Sequence, residues 1–235
     1  MNAQWFNATP LLPHPEVQYI ATHFGWSLVL AALLLWVVQR WTRMNRTGHA
    51  VLVALALGSC FLPGTLSPAY WLSLAFQAPS LCTALICATL LRAHWRSRAA
   101  PSTVPVSSLL PVLIAGVGLG WLLLLDTLAL LPVQLYALGF HPLASGLLLL
   151  LGLLPCIVHG AAAWRDEWVR VLPAAVVLFV LSRWPSGNVW DAVLDPWLWL
   201  ILNGYVLSDL WMRKSFGIQA WVQRLQKSHG DHIDA

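Results

Sequence analysis

Asp126 lies in the run Gly120-Trp-Leu-Leu-Leu-Leu-Asp-Thr-Leu, an acidic side chain with apolar residues before and after it. A carboxylate near mid-bilayer costs about 2.5–3.5 kcal/mol on insertion scales, so it must face protein or water and have partners. His23, Gln77 and Asn203 are polar residues inside other apolar runs. Counted from the run ends at ~1.5 Å per residue, all four lie about 8–10 Å below one surface. Four side chains at one depth predict a single polar cluster, closed from above by Arg183 and His141. A carboxylate beside a histidine favours the imidazolium, which suits a proton-linked site or a pocket for a small polar ligand entering from outside. The competing expectation is a hydrogen-bonded knot that holds four helices together.

Those residues need helices to carry them, and the composition says which solvent the helices meet. The chain has 235 residues, 59% hydrophobic and 9% charged, with a mean hydropathy of +0.70. Soluble domains carry roughly 25% charged residues. The apolar excess predicts an all-α, polytopic membrane bundle of about seven transmembrane helices. The runs are Val17–Gln39, Thr47–Phe61, Ser67–Leu91, Ser107–Leu131, Leu143–Trp164, Val169–Arg183 and Asp195–Met212. Pro155 predicts a kink in the fifth, and the sixth is short for a span.

Charge sets the expected orientation. Arg40, Arg43, Arg46, Arg92, Arg96, Arg98, Arg165 and Arg170 fall in alternate connections, and Arg213, Lys214, Arg224 and Lys227 follow the last run. Arg183 alone falls on the other side. Basic residues favour the cytoplasm, which places the N-terminus outside and the C-terminus inside. Trp41, Trp95, Trp164, Trp168 and Trp211 then mark the inner boundary, with Trp71, Trp184, Trp190 and Trp197 at the outer one. The chain divides into an external segment at 1–16, a spanning domain at 17–212 with a cytoplasmic linker at 92–106, and a cytoplasmic tail at 213–235. In that tail Ile218, Trp221, Val222 and Leu225 share one face of a short amphipathic helix. Asp191 and Asp195 read as caps in the last outer loop, and Asp166 with Glu167 as a solvated loop.

Small residues at four-residue spacing mark close helix contacts: Gly116 with Gly120 in the fourth run, and Ala54 with Gly58 in the second. Cys60, Cys82, Cys87 and Cys156 form no CxxC pair and read as small hydrophobes. Metal and haem sites find no support, since most histidines sit at run ends and no CxxCH is present. Serine proteolysis lacks an activated Ser145, and a retinal pump lacks a lysine inside the last helix. No internal repeat of the transporter kind is visible, and the scattered basic residues exclude a nucleic-acid surface.

The expected protein is thus a non-enzymatic, multi-pass component of a bacterial inner membrane: a subunit, assembly factor or scaffold. Its partners are the lipid bilayer and a membrane protein, with no cofactor. A small-solute or proton-coupled carrier built round Asp126 is the alternative.

Overall fold

The computed structural model describes residues 13–42, 44–96, 106–209 and 211, with side chains from 109 onward in the third stretch. The linker around residue 100 and the 213–235 tail lie outside these residues. Most of the described residues are helical, and none among them is in a strand. Three helices are long and apolar enough to cross a membrane: Pro15–Trp41, Leu109–Thr127 and Pro142–His159.

Helix α1 (Pro15–Trp41) starts on a proline, which has no N–H to leave unpaired, and carries Glu16 in its first turn and Arg40 in its last. Helix α2 (Arg46–Ser59) is capped by Asn45, whose Oδ1 accepts from Gly48 N at 2.8 Å. It packs against α1 through His49, Val53 and Ala56. Ala54 and Gly58 lie on the exposed face of α2, and among the described residues nothing lies within 4 Å of where a Cβ on Gly58 would sit. The small-residue stripe at 54 and 58 is therefore rotated away from α1; the stripe that packs is one residue earlier.

The third apolar run is two helices where the sequence predicts one. Helix α3 (Pro68–Phe76) stops at Gln77, whose φ is 62°. Helix α4 (Leu81–Trp95) then starts behind its own cap, Ser80 Oγ accepting from Thr83 N at 3.1 Å. Pro79 accounts for the break: it lacks an N–H and bars Ala78 from helical geometry. Ala69 packs with Trp26 and Cys60, while Trp26 Nε1 donates to Gln77 O at 2.8 Å. Both ends of α3 thus meet α1 near Trp26, so α3 lies across α1. Helix α4 instead runs parallel to α1, from Pro79 against Gly25 to His94 beside Gln39.

Helix α5 (Val106–Thr127) ends four residues before the predicted boundary. Its terminus is a Schellman motif: Leu130 N donates to Leu125 O at 3.0 Å and Ala129 N to Asp126 O at 2.9 Å. The turn requires left-handed backbone at Ala129, φ 54°, a position that normally takes glycine. Asp126 is therefore the penultimate residue of α5, a correction to its expected place well inside a longer helix.

After the single turn α6 (Leu135–Leu138) come α7 (Pro142–His159), α8 (Glu167–Ser182), the short α9 (Val189–Val193) and α10 over residues 196–209. Helix α7 continues through Pro155 and stops at Gly160, φ 75°. Asp166, expected in a solvated loop, is buried and caps α8 by accepting from Trp168 N at 2.9 Å. The main core gathers Val176 and Phe179 of α8, Ala144 and Leu148 of α7, Val189 and Ala192 of α9, and Cys82 of α4. Helices α7 and α8 approach closely at Gly152, where a Cβ would sit 2.8 Å from Pro173 Cδ.

Gly120 is the only buried residue among the described side chains of α5, and a Cβ there would fall within the indole of Trp199 on α10. Trp199 Nε1 donates to Val117 O at 3.2 Å, and its ring meets Trp121 edge-on at 5.1 Å. Gly116 faces Leu202 of α10.

Gly120→Leu should destabilise the protein in detergent by about 1–3 kcal/mol, because the indole cannot move aside. Gly118→Leu, with nothing within 4 Å, is the neutral control. Ala129→Gly should raise the melting temperature, since relief of left-handed strain of about 1–2 kcal/mol exceeds the added chain entropy of about 0.5–1 kcal/mol.

Candidate functional site

The loops at the C-terminal end of α5 and of α8 are locked together through one residue, Tyr136. Its backbone N donates to Asp126 Oδ2 at 2.7 Å. Its phenol donates to Asp191 Oδ2 at 2.7 Å, and its carbonyl accepts from Asn188 Nδ2 at 2.9 Å. Trp190 Nε1 donates to Leu135 O at 3.0 Å, and Val189 N to Gly139 O at 3.0 Å. Asn188 is fully buried. Its Oδ1 caps α9 at Trp190 N, 3.0 Å away. A Cβ on Gly139 would fall on that same oxygen. Buried backbone groups outside a helix need partners, and each side chain here supplies one.

A second carboxylate joins two helix N-termini. Asp195 Oδ1 accepts from Leu198 N at 2.8 Å, the cap that its place before Pro196 predicts. Its Oδ2 accepts from Ser80 N at 2.9 Å and from Thr83 Oγ1. Thus α10 starts on the same anion as α4. The charge is well placed, because helix N-termini carry the positive end of the macrodipole.

The residues predicted to form one cluster lie as follows. His23 is buried, with Nδ1 on Tyr19 O at 2.9 Å; a carbonyl only accepts, so Nδ1 holds the proton. Gln77 sits in the α3–α4 break, and its backbone carbonyl is the group that Trp26 uses. Asn203 donates to Trp199 O at 2.7 Å and accepts from Trp121 Nε1 at 3.2 Å. Arg183 takes a left-handed C-cap after α8 and lays its guanidinium 5.5 Å from the Phe179 ring centroid. His141 caps α7, accepting from Leu143 N at 3.2 Å. Asp126 and Asn203 thus serve separate junctions, the first at the α6 turn and the second at the α5–α10 contact.

His23 and Gln77 do share a surface. Both line a groove of about 1110 Å³ between α1, α3 and the 185–197 segment. Asp191 and Asp195 line it as well, together with Tyr19, Trp26, Phe76 and Trp197. Phe76 meets Trp197 edge-on at 5.3 Å. Asp191, expected as a cap, instead accepts from the phenol of Tyr136 and the hydroxyl of Ser186, both at Oδ2. Tyr136, Asn188 and Trp199 stand outside the expected cluster, yet they make four of the tertiary hydrogen bonds among the described residues. The spacing Asn188-Val-Trp190, a cap two residues before its recipient, is the one local signal for them.

At the opposite end Glu167 accepts from Arg96 at 2.7 Å, with Arg92 at 3.5 Å and Arg170 at 4.0 Å. These pairs are largely exposed and contribute little to stability. His49 and His94 stack edge-on there at 4.9 Å. No group of three metal-ligating side chains occurs among the described residues.

Comparison with protein-family models, with curated proteins and with solved structures finds no match to this chain. The class that the fold defines is an all-helical protein with three helices able to cross a membrane.

Burial, reinforced by the hydrogen bond and charge of Asp191, pushes the Tyr136 phenol up to about 12. An unfolded phenol ionises near about 10. The folded state therefore holds this proton more tightly, and its advantage is complete below about pH 10 and lost by about pH 12. Thermal unfolding followed across this window should show falling stability, and Tyr136→Phe should flatten that part of the profile.

Proposed function

We propose that this chain is a seven-span inner-membrane protein, N-terminus outside, that serves as a non-enzymatic component of a membrane complex. The observation that carries the role is the use made of its deep polar groups. Asp126 and Asn203 each bind backbone or a tryptophan N–H at a helix junction and act as fasteners, while His23 bonds to Tyr19 O within its own helix. A carrier would need such groups convergent on one solute, and Asp126 is held at the α6 turn instead.

Two features support the topology. Each of the seven apolar runs contains a helix. Among the described residues, Arg40, Arg46, Arg92, Arg96, Arg165 and Arg170 stand at one end of the helices, with Arg183 at the other. In this reading the shorter helices, α2 with 14 residues and α4 with 15, cross a locally thinned hydrocarbon layer. The component role draws further support from α5: only Gly120 is buried among its described side chains, and Ile114, Trp121, Leu122 and Leu124 are exposed to lipid or a neighbouring helix.

Purification of the full chain in mild detergent tests the role. A stoichiometric protein partner is the expected result; a lone monodisperse protein that carries a solute across vesicle membranes sinks it. Asp126→Ala should lower stability by about 1–3 kcal/mol, and Asp126→Asn should restore most of it by keeping an acceptor for Tyr136 N. If Asp126→Asn folds normally but abolishes proton-coupled uptake, the carrier reading replaces this one.

A further inference from the structure

The groove between α1, α3 and the 185–197 segment has one acidic, aromatic end and one aliphatic end. Gln18 Nε2 donates to Pro185 O at 3.3 Å, which places the N-terminal turn of α1 beside Ser186 and Asp191. Val29 and Leu33, on the same lining, lie about 16–22 Å further along α1 at ~1.5 Å per residue. Leu72 continues the aliphatic wall from α3. A ligand that matches both ends is an amphiphile longer than a simple solute.

The chemistry of the polar end specifies the head. Asp191 and Asp195 both line it, and neither Lys nor Arg does among the described residues. The described ion pairs all lie at the other end of the helices. Both described bonds of Asp191 fall on Oδ2, so its Oδ1 has no donor among the described residues. Around the carboxylates stand Tyr19, Phe76 and Trp197, whose ring faces attract cations, quaternary ammonium above all. A phosphate-bearing head would meet two carboxylates and no basic residue to pair with it. A neutral head would leave Asp191 without a counter-charge among the described residues.

We propose that this groove is a binding site for a cationic amphiphile: an alkyl chain bearing an ammonium head and no phosphate. The head sits between Asp191, Asp195 and the aromatic wall, and the chain lies along Val29, Leu33 and Leu72. The site is independent of the component role proposed above, and its test does not depend on a protein partner.

The full chain in phosphatidylcholine nanodiscs can be titrated calorimetrically with dodecyltrimethylammonium, dodecanol and dodecyl sulfate, with empty discs as the blank. Saturable binding of the ammonium compound alone is expected. Asp191→Asn, which keeps an oxygen for Tyr136 and Ser186, should weaken it by about tenfold or more. Leu72→Trp, which fills the aliphatic end without touching the Tyr136 junction, should abolish saturation. Leu147→Trp, on the exposed face of α7, should leave it unchanged. Equal binding of all three compounds overturns the proposal, as does ammonium binding that persists in folded Leu72→Trp. Competition by phosphatidylethanolamine added to the discs would assign the groove to a lipid headgroup and overturn the free-cation reading.

Discussion

A backbone segment that leaves one helix and does not yet belong to the next must find hydrogen-bond partners of its own, and in this protein Tyr136 is where that requirement is met. The chain leaves α5 through a Schellman turn whose left-handed residue is alanine. It then depends on Asp126 to receive the next free amide, at Tyr136. The same residue offers its carbonyl to Asn188 and its phenol to Asp191. One residue therefore couples the α5–α7 connection to the α8–α10 connection, and α9 inherits its position from Asn188. Loss of that junction would leave the backbone N–H and C=O of Tyr136, its phenol and the buried Asn188 amide without these partners.

Asp195 performs the corresponding task between α4 and α10. Its carboxylate receives two backbone amides and a hydroxyl from residues more than a hundred positions apart in sequence. The two carboxylates explain why a protein so poor in charge retains acidic residues at one end. Each is a connector between elements that van der Waals packing alone would not register. On α5 and α10 the connectors are indoles: Trp199 reaches Val117 O over the gap that Gly120 leaves, and Trp121 reaches Asn203. The groove is a by-product of the same plan. Because α3 lies across α1, the upper part of α1 stands clear of α4, and the 185–197 segment closes only one side of the space.

How much of this is legible in residue order can be judged from particular elements. Proline after a capping residue marked α3 and α10, and Pro15 and Pro142 stand at the starts of α1 and α7, where a missing N–H costs nothing. Asp195 before Pro196 announced its cap. The break at Pro79 was present in the sequence as a proline but was outweighed by unbroken hydropathy, which does not register a change of direction. Equal depth for Asp126, His23, Gln77 and Asn203 fixes position along each helix and leaves azimuth open. A residue two positions away points to another face of the helix, so equal depth did not imply contact. Ala54 and Gly58 face away from the intrachain contact for the same reason: consecutive residues are about 100° apart round a helix, and the packed side of α2 carries His49, Val53 and Ala56.

Residue order alone determined that this chain is helical and lipid-compatible, because hydropathy and the shortage of charge are local, additive properties. It also determined where several helices begin, because capping acts within four residues. Tertiary structure decided what the polar residues do. Whether Asp126 meets a histidine, a solute or the amide of Tyr136 depends on a turn ten residues downstream and on loops more than fifty residues away. Hydrogen bonds act over about 3 Å, and only the folded chain sets distances that short between residues so far apart in sequence.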